Sequence, residues 1–248
     1  HFIAHTALAT DFSQQGRSHS APQPACRLFG APFIYPTGRL YGFTKSLHAC
    51  PDLGDAVTGM GRAAQHLGPP DIVAAPQHHG DNYLDASEAR QLAIIERRPQ
   101  EMRLALDLLL AHDEIGPQID QDKIYALGHS AGGATVLKLA GWDFDAKAWQ
   151  DYCEINADND HVICQHAPSD DHLDRLHNVY GGPVVSERDD RIAAIIAIAP
   201  AFGVAATDAG LSDIGIPMLF VEADTDEILH DHVNAAHFRK LLRGRAKF

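Results

Sequence analysis

One serine in this chain stands where a hydroxyl could be made to attack an acyl carbon. Ser130 is the centre of Gly128-His129-Ser130-Ala131-Gly132. A serine hydroxyl is a weak nucleophile, so it needs clearance from the backbone, a histidine base within reach, and amide donors for a developing oxyanion. A sharp turn from strand to helix supplies the clearance and the donors. Such a turn forces together the residues two before and two after the serine, leaving no room for a side chain at either, and both are glycine. The Ala131 N–H then faces the oxyanion position, assisted by the positive end of the helix dipole.

The flanking residues predict the elements this turn requires. Ile124-Tyr125-Ala126-Leu127 is an apolar run suited to a buried strand, and Thr135 to Ala140 suits a helix. A glycine-rich turn holding an incidental serine is the bland alternative, and the strand-turn-helix context favours the nucleophile elbow over it. Downstream, Met218-Leu219-Phe220-Val221 reads as a strand that runs into Glu222-Ala223-Asp224-Thr225-Asp226-Glu227. An acid there suits the triad member that orients the histidine and stabilises its charged form. Asp226 is preferred and Asp224 is the alternative; both would otherwise serve to cap a helix predicted from His232 to Leu242. Upstream, Ala31 to Tyr35 reads as a buried strand, and the loop after it offers Gly38-Arg39 as the second oxyanion donor. An ordinary strand-ending turn explains that loop equally well.

The rest of the chain reads as an alternation of helix and strand with one interruption. A helix is predicted from Asp55 to Leu67, a strand over Asp71 to Pro76, and a second helix from Glu101 to His112 with Pro99 near its start. His78, His79 and Asp81 lie in the loop after the strand, where they would face a ligand crevice or, more simply, solvent. Ile192 to Ala199 is apolar without alternation, as in a parallel strand buried on both faces. Between the elbow helix and this strand the spacing becomes irregular, so residues 142–190 are predicted to form a cap with short helices of its own. Cys153 and Cys164 lie within it, and their spacing suits either a disulfide or two separate thiols. Residues 1–30 are polar and turn-rich, predicting an irregular amino-terminal arm with weak edge strands at most.

Composition bounds the partners. The 248 residues are 45% hydrophobic, enough for one α/β domain over residues 1–248. Acidic residues outnumber basic ones 33 to 20, for a formal charge of −13, which disfavours nucleic acid and anionic membranes. No apolar run is long enough to span a bilayer. The chain opens on His1, so the lack of a signal sequence carries no weight. The 16 histidines are scattered and form no H-E-x-x-H pair, so neither a metal nor another cofactor is expected.

Together the elbow, the strand order and the late acidic loop resemble the α/β-hydrolase family, a mostly parallel sheet with helices on both faces. The likeness is closest to its dienelactone-hydrolase-like esterase branch, which includes bacterial relatives of platelet-activating-factor acetylhydrolases and polyester-cleaving cutinases. It is carried by Val73 to Asp81, Arg97-Arg98-Pro99, Gly128 to Gly133, and Ile216 to Val221. The resemblance implies a small-molecule carboxylic ester or lactone as substrate, Ser130 as nucleophile, and Asp226, nine residues after Pro217, as the orienting acid. It also implies a Cys153–Cys164 disulfide in the cap, hence a periplasmic or secreted setting in place of the cytoplasm. The family's His-Gly at the oxyanion loop is Thr37-Gly38 here. Its catalytic histidine follows one further strand, which places the base beyond Phe248 and makes the chain read as a fragment. His129 is expected to pack under the elbow, and His1-Phe2 would serve only in a permuted chain. An inactive binding protein on the same fold is the alternative function.

Overall fold

The computed structural model describes residues 6–12, 33–34, 40–41, 72–81, 87, 93–222 and 226–246. Nine strands are described: β1 (Thr6–Phe12), β2 (Phe33–Ile34), β3 (Leu40–Tyr41), β4 (Ile72–Ala74), β5 (Ile119–His129), β6 (Phe144–Asp145), β7 (Val184–Val185), β8 (Ile192–Ile198) and β9 (Met218–Val221). The helices are α1 (Ala93–Leu110), α2 (Ala131–Ala140), α3 (Ala146–Asn156), α4 (His161–Cys164), α5 (Asp170–Tyr180), α6 (Asp208–Leu211) and α7 (Ala235–Leu241). The helix predicted over 55–67 lies outside the described residues.

The molecule is mixed α/β around a five-stranded sheet of order β4-β1-β5-β8-β9. Strands β5, β8 and β9 are parallel, while β1 runs antiparallel to both of its neighbours. Residues 1–30 were expected to contribute edge strands at most, yet β1 is an inner strand. Its Leu8 faces Ala74 on one side and Ala126 on the other. A polar, turn-rich neighbourhood hides a strand whose partners lie far along the chain. A second correction concerns the strand expected near Phe33. It pairs antiparallel with β3, Ile34 opposite Leu40, and among the described residues it does not join the main sheet.

The second helix begins eight residues earlier than predicted, so that Pro99 falls inside it. Proline removes one backbone donor and crowds the preceding turn. Side-chain pairing holds that turn in place. Arg98 Nε donates to Asp81 Oδ2 (2.6 Å), and Glu96 accepts from Arg175 Nη2 (2.5 Å) and from the Tyr180 hydroxyl (3.2 Å). Met102, Leu106 and Leu109 then bury the helix's apolar face.

Residues 142–190 form α3, α4, α5 and the small β6–β7 sheet. Local chemistry sets their boundaries: Asp145 Oδ1 accepts from Lys147 N–H and Ala148 N–H, and Ser169 and His172 form a capping box at α5. Cys153 and Cys164 are joined as a disulfide across 11 residues, tying α3 to α4. Trp142, Phe144 and Trp149 are fully buried and pack edge-on or tilted with centroids 5.1–6.0 Å apart. Burial of each such ring contributes about 2–3 kcal/mol. Trp149 also packs on Phe202 (5.1 Å) and Trp142 on Phe238 (5.1 Å), so these rings share one core with the sheet.

Beneath this cluster lies Lys138, only 1% exposed, its Nζ 5.3 Å from the Phe144 ring centre. Burial pushes its ammonium down to about 8, against the opposing pull of Glu187 and Glu96. Because the unfolded chain holds that proton up to about pH 10.5, the group's cost is full below pH 8 and fades as pH rises from 8 to 10.5. Lys138→Met is therefore expected to raise the melting temperature at pH 7, and the gain should shrink to nothing near pH 10.5. Thermal unfolding across that range measures it; a gain independent of pH would contradict the assignment.

Candidate active site

Strand β5 ends at His129 and α2 begins at Ala131, with Ser130 alone between them at φ 57° and ψ −121°. L-residues rarely adopt this conformation, and its cost is on the order of 1–3 kcal/mol. Backbone hydrogen bonds hold the turn. Ser130 N–H donates to Ile198 O (2.9 Å), while Ser130 O accepts from Ala201 N–H (3.1 Å) and Ala134 N–H (3.2 Å). The other two non-glycine residues with positive φ among the described residues, Ala199 (40°) and Phe202 (62°), follow β8 directly. Backbone strain is thus concentrated where the ends of β5 and β8 meet.

The glycines have the steric role the motif requires. A Cβ on Gly128 would sit 2.0 Å from the Gly132 carbonyl oxygen, and one on Gly133 would sit 2.9 Å from Pro200 Cα. Ser130 itself is only 3% exposed, and among the described residues its Oγ has no hydrogen-bond partner. No side chain caps α2. The Ala131 N–H lies in its first turn, where helix amides have no intrahelical acceptor and the dipole is positive.

Two expected features lie outside the described residues: Arg39, proposed for the second oxyanion donor, and Asp224. Asp226 is described. It follows β9, and its Oδ1 accepts from Ile228 N–H (2.9 Å) and Leu229 N–H (2.8 Å), closing its own loop without capping the later helix. His129 departs from expectation: it is exposed and does not pack under the elbow. Partial burial of its ring lowers its pKa, and the nearby Asp226 carboxylate opposes that shift. The acid loop and the elbow therefore share one end of the sheet. Among the described residues no histidine is hydrogen-bonded to Ser130 Oγ, and no His/Cys/Asp/Glu group suits a metal ion.

In the loop after β4, His79 is exposed, as a solvated loop predicts, but its neighbours are not. His78 and Asp81 are buried, with His78 Nδ1 2.6 Å from Glu101 Oε2 and Asp81 bound by Arg98. They turn inward to α1, away from solvent. Burial lowers the His78 pKa, against the opposing pull of the Glu101 hydrogen bond. Asn234, which the sequence places inside the helix predicted from His232 to Leu242, instead precedes α7; it is buried beside the acid loop and bonds to Gly203 and His230.

No family model, curated protein or solved structure matches the chain. Among the described residues no helix is long and apolar enough to cross a membrane.

Proposed function

We propose that this protein is a serine hydrolase of the α/β-hydrolase fold, cleaving carboxylic esters or lactones through an acyl-enzyme at Ser130. The observation that carries the reading is the strained Ser130 at the strand-to-helix junction, closed by Gly128 against Gly132. In this mechanism Ser130 Oγ attacks the acyl carbon while a histidine takes its proton. The Ala131 N–H holds the oxyanion, with the Arg39 N–H as the proposed second donor. Asp226 orients the histidine, which then protonates the leaving alcohol, and water releases the acyl group by the same sequence. The histidine is one that the described residues do not bring to Ser130. Residues 142–190 act as the cap that shapes the substrate site, and the disulfide within them favours an oxidising compartment, periplasmic or extracellular.

A second reading has one observation in its favour. Among the described residues, the buried Ser130 Oγ has no partner, as in a binding protein that keeps the fold and lacks the base. One experiment separates the two. After incubation with a fluorophosphonate probe, digestion and mass spectrometry should find the adduct on the peptide containing Ser130. An unmodified Ser130 under conditions that label a control serine esterase would leave the binding protein as the better account.

A further inference from the structure

We propose that Asn234 is a positioning residue that fixes the acid loop relative to the nucleophile, an inference that rests on the esterase reading above. Asn234 is 1% exposed and stands at the N-cap of α7, yet its side chain makes no capping bond there. Asparagine is among the best N-cap residues because its oxygen can accept from the first turn. Here the amide is committed elsewhere. Its Oδ1 accepts from Gly203 N–H (3.2 Å), and its Nδ2 donates to His230 O (3.0 Å). The two partners fix the orientation of the amide, since an N–H can meet only the oxygen and a carbonyl only the nitrogen.

Each partner leads to one half of the proposed machinery. Gly203 follows Phe202 and Ala201, and the Ala201 N–H holds the carbonyl of Ser130. His230 ends the loop that begins at Asp226, whose carboxylate closes that loop on Ile228 and Leu229. Val233 N–H also donates to His230 O (3.2 Å), and His230 Nε2 donates to Asn159 O of the cap (3.2 Å). The amide of Asn234 is therefore a buried bridge between the segment gripping Ser130 and the segment carrying Asp226.

The approach of these segments is close as well as hydrogen-bonded. A Cβ on Gly203 would lie 2.5 Å from Val233 O and 2.7 Å from Asn234 Cα. Glycine at 203 and asparagine at 234 set a single spacing. A triad requires its acid and nucleophile to be held at fixed separation so that one imidazole can serve both, and errors of about 1 Å can cost on the order of a hundredfold.

The test uses Asn234→Asp, which is isosteric and keeps the acceptor for Gly203 while setting an anionic oxygen against His230 O. Its companion is Gly203→Ala, which leaves the amide intact and pushes the segments apart. With a nitrophenyl ester as probe, both variants should lose about 10- to 100-fold in kcat, with KM within about twofold of wild type. A displaced Asp226 no longer holds the imidazolium stable, so the acid limb of the kcat–pH profile should move to lower pH by about half a unit or more. Variants that melt lower but keep kcat and the acid limb of wild type would reduce Asn234 to a packing role and overturn the proposal. A wild-type protein that neither labels at Ser130 nor turns over ester overturns the esterase reading, and the positioning role with it.

Discussion

Ser130→Ala is expected, on the esterase reading proposed above, to reduce ester turnover about a million-fold and to abolish fluorophosphonate labelling, because the nucleophile and its covalent intermediate would vanish together. Residual acceleration over water, on the order of a thousandfold, should survive from oxyanion donors and binding. The same substitution should not harm the fold. The Oγ of Ser130 is buried without a partner among the described residues, and a buried hydroxyl with no hydrogen bond costs about 1–3 kcal/mol. Alanine removes that cost and leaves the backbone strain as it was. The melting temperature of the variant should therefore equal or exceed that of wild type by a few degrees, roughly 2–4 °C per kcal/mol at this chain length. Loss of activity with gain of stability is the signature of a functional serine; loss of both would point to a serine retained for structure.

Gly128→Ala is expected to have the opposite balance. The new methyl would lie 2.0 Å from Gly132 O, 2.3 Å from Gly132 C and 2.8 Å from Gly133 N. All three are backbone atoms in the first turn of α2, whose flank is nearly all buried from Gly132 to Ala140. No rotamer change can relieve the overlap. Either β5 and α2 separate or the elbow opens, and the cost is about 4 kcal/mol or more, a fall of about 10 °C or no soluble protein. Gly215→Ala is the matched control, since nothing lies within 4 Å of its added Cβ, and it should melt within about 2 °C of wild type. Thermal unfolding of the two variants side by side measures the difference. Equal melting points would mean that the elbow is not closed as described.

These residues also show what a sequence can disclose here. The elbow is legible because its demands are local: glycine, serine and glycine within five residues, flanked by a strand pattern and a helix pattern. The place of Asp226 just after β9 is legible for the same reason, as an acid soon after a short apolar strand. What escapes are features whose partners are distant. β1 is an inner strand because Leu8 meets Ala74 and Ala126, and nothing near Leu8 announces either. Glu96, Arg98 and His78 look like surface polar residues, yet each is buried against an opposite charge or hydrogen-bond partner from another segment. Once paired, charged groups can occupy positions that a hydrophobic pattern leaves blank. Asn234 belongs with them: it falls inside the helix predicted from His232, and only the tertiary structure shows the helix starting after it and its amide bonded to another segment.

The Cys153–Cys164 bridge also bears on the order in which the molecule assembles. It closes a loop of 11 residues, whereas β5 and β8, which flank residues 142–190, pair through residues as far apart as Ile124 and Ile192. Short closures lose little entropy and form early, while distant parallel pairings form late. The bridged hairpin can be complete before β8 docks beside β5. A chain oxidised before that step would bring a tied α3–α4 unit to an unfinished sheet, and a chain kept reduced would face the late step with that hairpin still open.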